Sequence, residues 1–364
     1  MRILQLIDSL DSGGAERMAV NYANMLSKEK PTFICVTRSE GLLKNTINDG
    51  VNYMFLNKKH TLDFKAIKRL YIYVRKNKID VIHAHSTSFF LATIIKILNN
   101  KITLVWHDHY GSSEFLKARK FKILKICSYK FNAIISVNQT LKVWAEQHLK
   151  CKKVSFLNNF ISVSTKEKKE TVLRGEKGKR MVCLANLRSQ KNHFMLLDAF
   201  KEVNKTHDKW TLHLVGKDHN DIYSSKLNEK INDLKLSKNV FIYGSKSDIY
   251  HILNHCDIGV LSSQSEGLPL ALLEYGLAKL PVVATNVGDC DKVITQPSEG
   301  CLVNSGDFKA FSKALLNYIN NTTLRIESGE GLYKNVVLNF SENKIKDQLI
   351  EIYTTLKCLK GTII

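Results

Sequence analysis

Short β-branched apolar runs alternate with amphipathic helical stretches along this chain, and the alternation is met twice. The first series of strand-sized runs is "RILQLI" (2–7), "TFICVT" (32–37), "DVIHAH" (80–85), "ITLVWH" (102–107), "AIISV" (133–137) and "VSFL" (154–157). After the first of these, Ala15, Met18, Ala19, Tyr22 and Leu26 recur at helical spacing. The second series is "MVCLA" (181–185), "TLHLVG" (211–216), "VFIYG" (240–244), "IGVLS" (258–262) and "PVVAT" (281–285), with a helix expected over 193–206. Strands that stay apolar on both faces, joined by helices, predict parallel sheets covered on both sides. The segment 164–180, "STKEKKETVLRGEKGKR", is charged and nearly core-free, and is the best linker candidate. The reading is α/β: two doubly wound, Rossmann-like domains facing a central cleft. We expect an N-terminal domain over 1–165, a second over 166–340, and a terminal helix over 341–364 that packs back toward the first. Ligands of such sheets bind beyond the carboxyl ends of the strands, so functional residues are sought just after strands.

Bulk properties narrow the classes. A chain of 364 residues accommodates two domains of ordinary size. No run approaches the roughly 18–20 apolar residues of a membrane span. The start, "MRILQLIDSLDSGG", has two early aspartates and no cleavage-site pattern, so a soluble intracellular protein is expected, peripheral at the inner face of the plasma membrane at most. The eight cysteines include no C-x-x-C pair and several lie in apolar runs, which suits small core residues in a reducing compartment. The net charge of +20 is uneven: residues 1–165 carry 26 Lys and Arg against 11 Asp and Glu, and residues 166–364 carry 28 against 23. A basic first half implies an anionic partner, whether nucleic acid, membrane surface or phosphorylated ligand, unless the excess serves only solubility.

Three stretches follow strands. Gly13-Gly14 opens the first helix, where small residues let backbone N–H groups meet an anion, although a tight turn needs the same residues. The third glycine of G-x-G-x-x-G is missing, and no P-loop occurs, so dinucleotide and triphosphatase sites are not indicated. In "LANLRSQKNH" (184–193), Arg188 and Lys191 suit a diphosphate, one as a fork and one as a point charge; a solvated basic loop is the plain alternative. In "SSQSEGLPLALLEYGL" (262–277), Pro269 suits a first helical turn, Glu266 lies on the loop before it, and Glu274 lies within the helix. Two such carboxylates fit hydroxyl-rich ligands, a glycosidase pair, or simply solvated edges of a buried helix.

Glu266 and Glu274, with seven residues between them, and the trailing "PVVATNVGD" resemble the E-x7-E signature of family 4 glycosyltransferases, which have the GT-B fold. "SGGAER", "DVIHAH", the glycine after "HLV" (Gly216) and "VFIYG" fall in that family's order, so the resemblance spans roughly residues 2–355. It implies that Glu274 binds donor ribose hydroxyls. Glu266 touches the transferred sugar, with Gly267, Leu268 and Pro269 presenting backbone to it. Arg188 and Lys191 hold the diphosphate, Gly216 lines the donor site, and Gly13 and Gly14 lie near phosphates or acceptor. His107 matches a histidine near the reacting sugar. It further implies transfer with retention, no metal or other cofactor, a nucleotide-sugar donor (a UDP-sugar by family frequency) and a glycan or polyprenyl-diphosphate-linked acceptor in surface polysaccharide synthesis. Asn186, Lys292 and "FLNNF" depart from the usual family residues.

Two further groups stand apart from these motifs. His83, His85, His107 and His109 end neighbouring strands but match no metal-ligand spacing, so no metal site is assigned. Residues 114–130 carry Lys117, Arg119, Lys120, Lys122, Lys125 and Lys130, with Leu116, Phe121, Leu124 and Cys127 on another face. That reads as a basic amphipathic helix suited to an anionic membrane surface, or as an ordinary surface helix. The rival functions are a nucleotide-sugar epimerase of the same fold and a basic nucleic-acid-binding protein. The second lacks any recognition motif, so nucleic acid is not an expected partner.

Overall fold

A computed structural model of the chain describes residues 1–11, 13–111, 113–161 and 169–361. They form two compact units, Met1–Ser162 with Glu342–Ile364, and Val163–Ser341.

The first unit runs β1 (Ile3–Ser9), α1 (Gly14–Ser27), β2 (Thr32–Ser39), β3 (Val51–Phe55), α2 (Phe64–Lys76), β4 (Val81–His85), α3 (Phe89–Leu98), β5 (Thr103–Asp108), α4 (Lys122–Cys127), β6 (Ala133–Ser136), α5 (Gln139–His148) and β7 (Val154–Phe156). Its strands are parallel in the order β3-β2-β1-β4-β5-β6-β7. The order reverses between β1 and β4, which opens a crevice at their carboxyl ends. The second unit runs β8 (Arg180–Leu184), α6 (His193–Asn204), β9 (Thr211–Val215), α7 (Ile222–Asp233), β10 (Val240–Gly244), α8 (Ile249–Leu253), β11 (Ile258–Leu261), α9 (Leu270–Leu277), β12 (Val282–Thr285), α10 (Cys290–Val293), β13 (Cys301–Val303), α11 (Phe308–Asn320) and α12 (Thr322–Asn339). Its parallel order, β10-β9-β8-β11-β12-β13, reverses between β8 and β11.

Local chemistry sets these boundaries. Asp63, Asn138, Asp221, Asp307 and Asn321 cap helix starts, each accepting from a backbone N–H three residues on. The central strands are fully buried, as "VIHAH" and "TLVWHD" are along their whole length. The last helix, α13 (Glu342–Gly361), belongs to the first unit. Tyr353 is buried there and pairs through its hydroxyl with His83 Nδ1 at 2.6 Å, while Lys346 pairs with Glu29 at 2.6 Å.

Two expectations change. The segment read as a linker is anchored where it is described. Asp248 accepts from the Glu170 and Thr171 N–H groups at 2.9 and 2.7 Å, and Arg180 donates to the carbonyls of Leu173, Arg174 and Gly175. Its polar composition reflects hydrogen bonding to the second unit rather than freedom; residues 164–168 lie outside the described residues. Residues 114–130 are not one amphipathic helix. A 3-10 stretch, Ser113–Ala118, is broken at Phe115, the six-residue α4 follows, and a 3-10 turn, Ser128–Lys130, ends it. Arg119 is the physical reason. Its guanidinium donates to both oxygens of Asp108 at 2.7 Å and lies over the Trp144 and Tyr110 rings at 4.1 and 4.4 Å. Its side chain is 7% exposed, so it faces the core, not a surface ligand.

Candidate active site

At the reversal in the second unit, the exits of β8 and β11 are tied together. Ser262 Oγ donates to the Lys191 carbonyl at 2.9 Å, the Gln264 N–H to the Gln190 carbonyl at 2.8 Å, and Gln190 Nε2 to the Ser265 carbonyl at 2.8 Å. Across this seam Lys191 Nζ meets Glu266 Oε1 at 2.6 Å, and Ser263 Oγ donates to the same oxygen at 2.6 Å. Glu266 is 5% exposed, a depth at which a carboxylate requires such partners. Thr285 Oγ1, from the end of β12, donates to the Ser263 carbonyl at 2.6 Å and holds the loop from behind. Gly288 has φ +56°, and a Cβ there would lie 2.3 Å from the Glu266 carbonyl oxygen, so only glycine fits beneath the loop. The neighbouring Asp289 N–H donates to the Gly267 carbonyl at 2.9 Å.

The remaining donor-side residues take distinct places. Arg188 is exposed on the β8 exit and donates through Nε to His219 Nε2 at 3.2 Å, so it shares a loop with Lys191 but not a hydrogen bond. Burial, then the charge of Arg188, lowers the His219 pKa. Pro269 caps α9 rather than opening its first turn; the helix starts at Leu270 and Glu274, half-buried, is its fifth residue. Leu268 is a core side chain. Gly216 serves close packing: a Cβ there would lie 2.1 Å from the Ala185 carbonyl oxygen, where the β8 and β9 exits run side by side. At the departure from the family pattern, Asn186 Oδ1 accepts from the Lys217 N–H at 2.8 Å and ties the two exits together.

A residue unmarked in the sequence sets the spacing of these loops. The β8–β11 ladder pairs only Ile258 with Met181 and Gly259 with Val182. Where the strands part, the Tyr275 hydroxyl accepts from the Leu184 N–H at 2.7 Å and faces the Val182 and Val260 carbonyls at 3.2 and 3.1 Å. The ring needs Gly259, where a Cβ would lie 2.7 Å from it. The signal was present as a tyrosine directly after Glu274 and a glycine inside an apolar strand.

In the first unit, Gly13 is the N-cap of α1 and Gly14 its first residue. A Cβ on Gly13 would meet the Glu16 carboxylate at 2.1 Å, so an acid lies against the expected anion site. His107 is corrected. It is fully buried, stacked between His83 and His109 at 5.1 and 4.1 Å with Tyr22 beside it, and is out of reach of a sugar in this conformation. Register explains this: His83, His85 and His107 alternate onto the sheet face that α1 covers. His83 Nε2 and His107 Nδ1 lie 3.1 Å apart, His85 Nδ1 and His109 Nε2 2.9 Å, and His85 Nε2 and Gln5 Oε1 2.7 Å. Burial pushes His83 and His109 down to about 3, and His85 and His107 well below the usual imidazole range. Ring nitrogens of His83, His85 and His107 lie within 4.8 Å of one another. Those of His83 and His85 are taken up by Tyr353, Gln5 and other histidines, none of them a carboxylate that would offset a dication, and only His107 Nε2 is buried without a partner, so the group reads as a buried, largely hydrogen-bonded core.

Beyond this cluster, Phe115, Ile123, Ile126 and Tyr129 are 55–70% exposed, and Lys117, Lys120, Lys122, Lys125 and Lys130 are exposed among them. No helix among the described residues is long and apolar enough to cross a membrane.

Comparison with known proteins agrees with this geometry. Residues 12–165 match the profile of Glycosyltransferase Family 4 and residues 164–335 that of Glycosyl transferases group 1. A UDP-Gal:alpha-D-GlcNAc-diphosphoundecaprenol alpha-1,3-galactosyltransferase of Escherichia coli is 24% identical, over 93% of each chain. A Campylobacter jejuni alpha-1,4-N-acetyl-D-galactosaminyltransferase, named for a PP-undecaprenol-linked substrate, is 24% identical over 98% of this chain and 99% of its own. The crystal structure of Anabaena HepE in complex with UDP-glucose superimposes with a TM-score of 0.80 at 17% identity, covering 98% of this chain and 100% of that one. Fold and relatives together define a glycosyltransferase of the GT-B class. Within that class the chain belongs to family 4.

Proposed function

We propose that the chain transfers a sugar, with retention, from a UDP-sugar to a glycan carried on a polyprenyl diphosphate, in the assembly of a surface polysaccharide. The observation that carries this reading is the Lys191–Glu266 pair bridging the β8 and β11 exits at the switch point. Relatives over nearly the whole length are named for UDP-galactose or undecaprenol-diphosphate substrates, and HepE was crystallised with UDP-glucose. Glu266 accepts hydroxyls of the transferred sugar, and Glu274 those of the ribose. Lys191 and Arg188 face the diphosphate as its leaving oxygen gains charge. The acceptor hydroxyl forms the new bond to the anomeric carbon on the face from which the phosphate departs. The old carbon–oxygen bond breaks, and the leaving phosphate oxygen takes the acceptor proton, giving UDP and the extended glycan. Positive charge comes from the two side chains, so the reaction draws on no metal. The lysine-ringed apolar patch around α4 rests on the anionic bilayer that holds the acceptor.

The test is a panel of UDP-, GDP- and ADP-sugars, read by thermal shift and by nucleotide release with a polyprenyl-diphosphate glycan present. A rise in melting temperature with UDP-sugars, and UDP release that needs the acceptor, is expected. No response to any nucleotide-sugar, or conversion of donor without acceptor, overturns the reading.

A further inference from the structure

Among the described residues two lysines are almost fully buried, and they differ in one respect. Lys96 donates to the Asn100 and Ile102 carbonyls at 2.8 and 2.7 Å. Lys58, 7% exposed, makes neither a hydrogen bond nor an ion pair through Nζ with any described residue. Lys58 Nζ is nevertheless not among the fully buried atoms that lack a partner, so its stem is packed while the ammonium reaches solvent with no acceptor among the described residues.

Lys58 follows β3, and its N–H donates to the Thr37 carbonyl at 2.6 Å after Asn57 turns the chain at φ +49°. This pins the residue to the carboxyl edge of β2 and β3, the side on which open α/β sheets bind ligands. The charges around it are Asp8, Arg38 and Asp63, and burial is the main influence lowering its pKa. Both acids are committed elsewhere. Asp8 accepts from Thr37 Oγ1 at 2.5 Å and Thr87 Oγ1 at 2.6 Å, and Asp63 caps α2 through the Ala66 and Lys59 N–H groups at 2.9 and 3.1 Å. Arg38 stands exposed at the end of β2, and Arg69 is tied to the Leu56 carbonyl at 2.6 Å. Arg38, Lys58, Lys59 and Arg69 thus outnumber Asp8, Glu40 and Asp63 on this edge, Glu40 being held by Lys44 and the Tyr53 hydroxyl, and Arg38 and Lys58 have no acceptor among the described residues.

We propose that Lys58 and Arg38 form a phosphate subsite of the first unit, which takes the diphosphate of the lipid-linked acceptor. The assignment of that ligand rests on the function proposed above. A phosphate on a bilayer headgroup has the same chemistry, so the experiment separates the two.

The variants are Lys58→Met, Lys58→Arg and Arg38→Ala in the full chain. With UDP-sugar saturating, KM is measured for a short-chain diphosphate-linked glycan and for the same glycan on a phosphate-free alkyl chain. Lys58→Met and Arg38→Ala are expected to raise KM for the diphosphate acceptor about ten-fold or more, as loss of a charge-assisted contact does. Lys58→Arg restores most of it, and KM for the donor stays within about two-fold. The Lys58→Met melting temperature should stay close to that of the unaltered chain, because the ammonium makes no bond to a described residue. In parallel, inorganic pyrophosphate is titrated into the full chain with UDP saturating, and binding should weaken about ten-fold in Lys58→Met. Equal effects on both acceptors, or none, overturn the proposal. So does unchanged diphosphate KM with weakened binding to phosphatidylglycerol vesicles, which assigns the site to a headgroup. If the unaltered chain turns over no UDP-sugar, the proposed function fails, and the pyrophosphate titration still decides the subsite.

Discussion

Glu266 Oε1 receives Lys191 and Ser263 together, so the carboxylate and the ammonium hold one another in place while each faces the same crevice. Residues that act as a unit lose function non-additively. Glu266→Gln and Lys191→Met are each expected to lower kcat by about a hundred-fold. The double variant should be little worse than the poorer single one, as three kcat values measured at saturating donor would show; multiplied losses would mean separate roles. Both residues were legible because their chemistry is written in residue type and position: an acid, a cation and a strand exit. Tyr275 was not, since a tyrosine in an apolar helix reads as core until the parting of β8 and β11 shows what its hydroxyl satisfies. His107 failed for the opposite reason. Its place in the family order was visible, but the depth of the strand end depends on α1 and α13 packing over it, with Tyr22 and Tyr353 buried beside the histidines.

At the level of elements, continuous apolar runs marked eleven strands, and those that escaped are β3 and β13, "VNYMF" and "CLV". Both lie at or beside sheet edges, where one neighbour replaces two and the apolar run shortens. Residues 114–130 show the converse error. A helical period was present, but Arg119 finds Asp108 at 2.7 Å on the far side of the chain, and that pairing breaks the helix. What remains is short, and its apolar side chains still point outward: Ile123 is 61% exposed and Ile126 70%. An exposed apolar group beside lysines gains from a bilayer both by burial and by charge. Ile123→Glu with Ile126→Glu is expected to weaken co-sedimentation with phosphatidylglycerol vesicles about ten-fold or more, with little change on neutral vesicles. Melting temperature should hold, since neither side chain is in the core. Unchanged sedimentation would remove the bilayer from this face.

The whole molecule carries its histidines asymmetrically. In the first unit His83 and His109 are pushed down to about 3, and His85 and His107 well below the usual range, in each case chiefly by burial. In the second, burial lowers His193 and His213 to about 4. A group whose pKa is lower in the folded state binds fewer protons there than in the unfolded chain, so stability rises with pH across the interval between the two values. Unfolded histidine titrates near 6.5. The contribution is therefore whole above about pH 6.5 and is lost as pH falls from there toward 4 and 3. Each such group steepens the dependence by about 1.4 kcal/mol per pH unit within that interval. Four strongly shifted groups belong to the first unit and two to the second, where the half-buried His219 is also lowered, so acid should reach the first unit sooner. Hydrogen exchange followed by mass spectrometry at pH 7.5 and 5, corrected for intrinsic rates, is expected to show the opening free energy falling more for β4, β5 and α1 than for β8, β9 and α6. An equal fall in both units, or a first unit that keeps its protection at pH 5, would mean that the cluster takes up protons in the folded state. That requires water or a counter-charge among the four rings, and it would undo the description of the group as a neutral, hydrogen-bonded core.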